Sequence, residues 1–240
     1  IEAVVKSGGH AKYALGSVLG HVLMHQTING NEAILQMEQA GDYPDIIVGC
    51  TGGGSNLAGL MFPFLGQQLR GGKKIDIIGC EPLSCPSFTK GKYAYDHGDM
   101  ARMTPLIKMH TLGSDFLPPA KHSGGLRYHG MSYHLSHLYD LGLMSAKAYG
   151  QKDCFEAGVT FGKQEGIIPA PEGNHAVKGA IDAALECKEK GESKTILFNL
   201  CGHGHFDMTA YDDYFSGKLA DDFYDEAAAN QSLSHLPEIA

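Results

Sequence analysis

The sequence predicts an α/β protein with a twisted parallel sheet flanked by helices, and three observations lead to this fold class. Two continuous apolar runs, at 45–50 and 74–82, read as strands that are buried on both faces. A helical segment separates these runs, so they form a strand–helix–strand unit whose strands are parallel. A last apolar run within 194–207 continues the alternation of elements that is typical of the α/β class.

Helical patterns lie between these strands. Before the first strand, apolar residues recur at near-helical spacing between positions 14 and 39, and NGN at 29–31 marks a possible kink or break. The apolar positions of that segment are Leu15, Val18, Leu19, Val22, Leu23, Ile28, Ile34 and Leu35. Apolar periodicity returns at 133–142, and further helices are predicted at 154–166 and 174–191.

Other parts of the chain lack such a pattern. Between 83 and 129, prolines, glycines and histidines predict long ordered loops with short helices, and loops of that length are usually functional or form an interface. The acidic, alanine-rich tail at 220–240 is expected to be frayed or dispensable. The chain begins at Ile1 within a helical pattern, so we expect an N-terminal segment to be missing and the fold to be incomplete there.

The composition is that of an ordinary globular protein, with 43% hydrophobic and 19% charged residues. A net charge of −8 argues against non-specific binding to nucleic acid or to an anionic membrane. Because no apolar run approaches the roughly 20 residues of a membrane span, we expect a soluble protein. The 6 cysteines show no C-x-x-C spacing, which favours reduced thiols and a cytoplasmic location.

The sequence TGGGSN at 51–56 joins the first strand to a helix. A helix that begins near Ser55 presents backbone N–H groups without intrahelical partners, and its dipole favours an anion. Glycines let the backbone approach a phosphate closely. The simpler alternative is a tight turn in which Ser55 only caps the helix. The spacing matches neither the P-loop nor the dinucleotide fingerprint, so we predict a site for a single phosphate monoester.

Two further stretches carry candidate residues. NLCGHGHFD follows the last strand and should open onto the same crevice, because ligands bind at the carboxyl ends of parallel strands. Its alternating histidines could ligate zinc, although no second ligand pair with obvious spacing occurs elsewhere. The four candidate ligands are Cys201, His203, His205 and Asp207. Cys201 is better placed to touch a flat ligand. Glu172 is either a first-turn acid favoured by the helix dipole or a carboxylate projecting into the crevice.

Seven blocks taken in order resemble one family: HQTINGNEA, GCTGGGSNLAGL, GCEP, IKMHTLGSDF, HSGGLRYHG, EGIIPAPEGNHA and FNLCGHGHFD. They look like the tryptophan synthase beta chain, specifically its second, more divergent type. The match implies that residues 1–219 form the C-terminal portion of that fold and that 220–240 form a tail. The resemblance implies a fold-type II pyridoxal-phosphate enzyme that replaces the β-hydroxyl of L-serine with indole, the last step of tryptophan biosynthesis.

The resemblance assigns roles to the candidate residues. Ser17 matches a phosphate contact, and Glu172 matches a glutamate beside the cofactor ring. Cys201 stands where the family usually has a serine that contacts the pyridine nitrogen. A neutral thiol there would leave that nitrogen unprotonated and favour β-elimination and replacement over transamination. The loop that holds the cofactor phosphate agrees with the cradle inferred above and comprises Gly52, Gly53, Gly54, Ser55 and Asn56.

The resemblance also implies ions and partners. The backbone carbonyls of Gly52, Tyr128 and Gly130 match a site for a monovalent cation such as K⁺ or Na⁺. Serine and indole are the implied substrates, and the implied assembly is a homodimer. Engagement of a tryptophan synthase alpha chain would be weak or absent.

Two departures from the family pattern matter. The family's Schiff-base lysine and its indole-activating glutamate lie upstream of the matched region, so we expect the isolated chain to be inactive. Removal of the N-terminal strands should expose apolar surface, so we also expect aggregation or a molten state. Arg127 stands where better-known beta chains carry an aspartate. Its forked donors favour a phosphorylated serine as substrate, and pairing with a domain-closure carboxylate is the alternative.

Two other functions compete with the enzyme. A truncated, non-catalytic paralogue could bind a partner subunit or a phosphate ligand, and the absent lysine supports that hypothesis. A zinc hydrolase would use His203, His205 and Asp207, and we expect no metal there.

Overall fold

The computed structural model describes residues 1–14, 16–221 and 223–238. Leu15 of the first predicted helix and positions 222, 239 and 240 of the predicted tail lie outside the described residues. The helices are α1 Glu2–Lys6, α2 Gly20–Ala40, α3 Ser55–Leu69, α4 Tyr133–Asp140, α5 Gln151–Glu165, α6 Pro171–Lys190, α7 Met208–Phe215 and α8 Glu226–Leu233. The strands are β1 Ile46–Cys50, β2 Asp76–Pro82, β3 Lys92–His97, β4 Leu106–Thr111, β5 Ser145–Tyr149 and β6 Ile196–Phe198.

Four of these strands form a parallel sheet in the order β5-β2-β1-β6, which confirms the predicted fold class. Adjacent residues of β1 point to opposite faces of this sheet. Ile47 packs with side chains of α2 and α3 such as Leu23 and Phe64. Val48 packs on the other face against α6. Helices on both faces explain why β1 is an uninterrupted apolar run.

The helix predicted at 14–39 differs from the observed α2 at both points of interest. The helix begins only at Gly20, since Val18 adopts a positive φ of 65°. The predicted break at 29–31 is wrong, because α2 runs through these residues. A Cβ atom on Gly30 would lie 2.4 Å from the carbonyl oxygen of Leu60, so glycine here permits the close crossing of α2 and α3.

The region predicted as loops at 83–129 contains an antiparallel hairpin of β3 and β4. Sequence patterns did not reveal it, because the only buried residue on β3 is Asp96. Strand β5 was also missed, since its small and polar residues are mostly half-buried. The last strand is correctly placed but short, and its residues are half-buried.

The expectation of a frayed tail is wrong for residues 226–233, which form helix α8. Asp225 caps this helix by accepting a hydrogen bond from the N–H of Ala228. Ala229 is fully buried against Cys85, Leu112 and Phe116. Within the described ranges, no helix combines the length and apolar character needed to cross a membrane.

Candidate functional site

The glycine loop lies at the carboxyl end of β1 and leads into α3, as the sequence predicts. Gly54 adopts a φ of 98°, which an L side chain would disfavour, and its carbonyl accepts the first helical bond from Ala58. The backbone N–H groups at 52–56 donate to no acceptor in the part of the chain that the structure describes. A row of unpaired main-chain donors at a helix N-terminus is the chemistry of an anion site.

Ser17 lies directly against this loop. A Cβ atom on Gly53 would lie 2.8 Å from the Ser17 hydroxyl oxygen and 3.0 Å from the backbone nitrogen of Val18. The positive φ of Val18 holds this turn in a conformation that β-branched residues rarely adopt. The N-termini of α2 and α3 therefore meet at Gly53, and both helix dipoles favour negative charge there.

A second segment, at 125–132, crosses the glycine loop. A Cβ atom on Gly52 would lie 2.6 Å from the carbonyl oxygen of Gly125. Further along, the N–H of Ser132 donates to the carbonyl of Gly53 at 3.0 Å. Two of the glycines are thus required by close backbone contact as well as by any ligand.

Glu172, in the first turn of α6, joins the same assembly. Its Oε1 accepts a hydrogen bond of 2.8 Å from the N–H of Gly125. The carboxylate therefore orients the segment that crosses the glycine loop. Of the two alternatives for Glu172, the structure places its side chain toward the strand ends, where it acts electrostatically on Cys50 and Cys201.

Cys201 lies beside Cys50, with their sulfur atoms 3.4 Å apart. The hydrogen bond from Cys50 lowers the pKa of the Cys201 thiol below its usual value. The same contact, together with burial, raises the pKa of Cys50. Asn56 does not point its side chain into the crevice, because its amide donates to the carbonyl and sulfur of Cys50 and accepts from Asn199.

Arg127 and the predicted cation carbonyls lie on the crossing segment or the loop that it covers. The Arg127 side chain is exposed and donates through Nη2 to the carbonyl of Pro118 at 2.6 Å. The carbonyl of Tyr128 accepts a hydrogen bond from the Cys85 thiol at 3.1 Å. Gly130 follows at the isolated bridge to Thr111.

The predicted zinc ligands at 201–207 do not form a metal-binding cluster. The Nδ1 atom of His203 accepts a bond from the N–H of His205, and the two rings pack edge to face at 4.9 Å. Across the described ranges, no group of three or more histidine, cysteine, aspartate or glutamate side chains could hold a metal ion.

The parts of this site also match a known family. The family model for pyridoxal-phosphate dependent enzymes matches residues 21–202. The chain belongs to this family. The match covers the glycine loop, the crossing segment, Glu172 and Cys201 of this pyridoxal-phosphate-dependent family member.

Curated relatives in this family carry a narrower name. Similarity is 59% identity to "Tryptophan synthase beta chain 2" of Aquifex aeolicus, over 88% of this chain and 49% of the relative. The chain is 56% identical to the protein of the same name from Methanosarcina mazei, over 91% of this chain and 50% of the relative. It is 51% identical to "Tryptophan synthase beta chain" of Pyrococcus horikoshii, over 97% and 50%. The chain therefore spans about half the length of the curated relatives it matches.

Solved structures support the fold. A fungal L-serine ammonia-lyase from Rhizomucor miehei superimposes with a TM-score of 0.63 at 15% identity, over 88% of this chain and 62% of that one. The threonine deaminase of the organism abbreviated T.th. gives a TM-score of 0.57 at 18% identity, over 84% and 59%. At these identities the likeness concerns the arrangement of sheet and helices alone.

The residues present fit the phosphate end of pyridoxal phosphate. The unpaired N–H groups at 52–56 form a cradle that a Cβ atom on Gly53 would narrow. The buried hydroxyl of Thr51, next to this cradle, has no hydrogen-bond partner within the described part of the chain. Cys201 and Glu172 stand at the other strand end, where a flat ring would extend from the phosphate.

Sequence reasoning missed several contributors to this site. Gly125 holds Glu172, Val18 forms the strained turn beside Gly53, and Asn199 orients Asn56. The signal for Cys50 was present, because Cys50 and Cys201 each follow the apolar run of a strand. Parallel strands place such residues at one edge of the sheet.

Proposed function

We propose that this chain forms the cofactor-phosphate half of a tryptophan synthase beta chain of the second type. The complete protein would make L-tryptophan from indole and L-serine, or a phosphorylated serine, as a carbon–oxygen lyase. One observation carries the proposal: the unpaired main-chain donors at 52–56 lie in a chain that is 51–59% identical to such enzymes. Identity of that degree favours the enzyme over a non-catalytic binding module.

When bound, pyridoxal phosphate supplies an electron sink for bond changes at the α and β carbons of an amino acid. This chain's residues would hold and orient that group. The N–H groups at 52–56 and the Ser17 hydroxyl would bind the phosphate. The Cys201 thiol would meet the pyridine nitrogen as a neutral donor, and Glu172 would fix the segment at 125–127 along one side.

Arg127 is the proposed determinant of the amino-acid substrate. Its guanidinium is exposed and anchored through one nitrogen to Pro118, which aims the remaining donors outward. A planar fork of donors suits a phosphate group better than a neutral hydroxyl. Turnover of phosphorylated serine should therefore fall more than turnover of serine in Arg127→Ala. Equal effects on both substrates would assign Arg127 to another role.

Ions, assembly and location are parts of the same proposal. Backbone carbonyls of Gly52, Tyr128 and Gly130 would bind K⁺ or Na⁺, with Cys85 steadying the Tyr128 carbonyl. We propose a homodimer with a weak or absent alpha-chain partner. All 6 cysteines are free, which suits a reducing cytoplasm.

The decisive experiment compares two glycine substitutions. Gly53→Ala should weaken binding of pyridoxal 5′-phosphate by about tenfold or more, because the new methyl group would displace Ser17 and Val18. Gly16→Ala is the matched control, since a Cβ atom there meets nothing within 4 Å. Binding is measured by absorbance and fluorescence titration, and pyridoxal without its phosphate should bind weakly to both forms.

Tryptophan formation from indole and serine is then assayed in the complete protein. Equal cofactor affinity in the two glycine variants would remove the phosphate cradle from the proposal. Cofactor binding without tryptophan formation would keep the cradle and remove the reaction.

A further inference from the structure

The contact between Cys50 and Cys201 joins two separate strand ends. Cys50 is the last residue of β1, and Cys201 follows β6 by three positions. Their sulfur atoms are 3.4 Å apart, close to van der Waals contact, and both thiols are free. A small movement of either side chain would bring the two sulfur atoms within bonding distance.

A chain of hydrogen bonds fixes the direction of this contact. Asn199 donates to Oδ1 of Asn56 at 2.6 Å, and Nδ2 of Asn56 donates to the sulfur of Cys50 at 3.3 Å. Since the Cys50 sulfur already accepts one hydrogen bond, its own S–H is directed to Cys201. The Asn56 side chain thus holds Cys50 in contact with its neighbour.

The two sulfur atoms differ in their access to solvent. Cys50 is only 2% exposed, whereas Cys201 is half-buried at the edge of the crevice. An oxidant entering from the crevice therefore meets Cys201 first. Cys50 waits behind it, which is the arrangement of an attacking thiol and a resolving thiol.

We propose that Cys50 and Cys201 form a dithiol oxidation site, at which a hydroperoxide converts the two thiols into a reversible disulfide. Cys201 sulfur attacks one peroxide oxygen, the O–O bond breaks, and Cys201 becomes a sulfenic acid while one water leaves. Cys50 sulfur then attacks Cys201 sulfur, the S–O bond breaks, and the Cys50 proton leaves with the hydroxyl as a second water. The peroxide gains the two electrons that the thiols lose.

Oxidation would have a direct consequence at the site, and this consequence alone rests on the proposed function. The disulfide removes the S–H that Cys201 offers to the pyridine nitrogen. It also ties the end of β1 to the residue beyond β6. The oxidised protein should therefore bind the cofactor ring differently while its phosphate cradle stays intact.

The test uses intact mass and peptide mapping of protein treated with hydrogen peroxide in the absence of cofactor. Wild type should lose about 2 Da, a dithiol reductant should reverse the loss, and the map should contain a linked Cys50–Cys201 peptide. Cys50→Ser should stop at a sulfenic acid on Cys201 that dimedone traps. Cys201→Ser should show no loss.

Cys187→Ser is the matched control, because Cys187 is buried on α6 away from this pair, and it should keep the loss of wild type. Wild-type protein that retains all 6 thiols after treatment, or a link mapped to another pair, would overturn the proposal. Because no cofactor is present, this outcome is independent of the cofactor-binding comparison of Gly53→Ala and Gly16→Ala.

Discussion

The parallel sheet and the β3–β4 hairpin are stabilised in opposite ways. Every residue of β1 is buried, and none of them carries a charge. On β3 the one buried residue is Asp96, which accepts a hydrogen bond of 2.6 Å from the Thr111 hydroxyl on β4. The sheet is therefore held by apolar packing, whereas the hairpin depends on a buried polar contact that must be fully satisfied.

This difference determines how each region responds to substitution. Packing around the sheet tolerates polar changes at the surface but not added volume at close crossings. The hairpin loses stability when one partner is removed, because the other partner stays buried and unpaired. Three predictions sharpen the comparison.

The largest effect is expected at the crossing of α2 and α3. Gly30→Val should reduce the free energy of unfolding by more than about 3 kcal/mol, since its Cβ would lie 2.4 Å from the Leu60 carbonyl oxygen. Urea denaturation measures this change. Asn31→Val, at an exposed neighbouring position of the same helix, should cost less than about 1 kcal/mol. Similar costs for the two variants would mean that α2 and α3 can separate freely.

A smaller loss is expected from the hairpin. Asp96→Ala should cost about 2 to 3 kcal/mol, because Thr111 loses its acceptor and the N–H of His97 loses its bond to Asp96. Asp96→Asn keeps the shape and one acceptor oxygen, so it should recover part of this loss. If Asp96→Ala unfolds at the same urea concentration as wild type, the polar contact contributes nothing.

The smallest effect concerns pH. Glu81 is fully buried at the end of β2, and burial raises its pKa to about 7. The folded state therefore holds this proton more tightly than the unfolded state, so the contribution of Glu81 to stability is complete below pH 4.5 and is lost as pH rises to about 7.

Glu81→Gln tests this sign. The stability advantage of wild type over the variant should be largest at acid pH and should shrink as pH approaches 7. An advantage that grows over the same interval would show that the bonds from Phe88 and Thr89 keep the carboxylate charged.

The sequence predicted the sheet because its information is repeated along each strand. Apolar runs at β1 and β2 identified buried strands, and the glycines after β1 identified the start of α3. Those signals are local and periodic. The close crossing at Gly30 has no such periodicity, so the same glycine was read as a break.

The site divides along the same line. The glycine loop was predicted from local sequence, but the contact of Glu172 with Gly125 joins positions 47 residues apart in the chain. Likewise, the fit of α8 against Leu112 depends on the fold having formed. The roles given to Glu172, Cys201, Arg127 and the cation carbonyls stay predictions, as does the molten state expected for the isolated chain.

The cradle at 52–56 recognises its anion through main-chain amides, and this fixes what can vary there during evolution. Every amino acid except proline supplies the same donor, so mutation cannot delete the recognition one side chain at a time. What selection must preserve is the absence of bulk at Gly52 and Gly53, where a single added methyl group meets neighbouring atoms. Drift in this loop is therefore restricted by size, while its chemistry is inherited by any chain that keeps the turn.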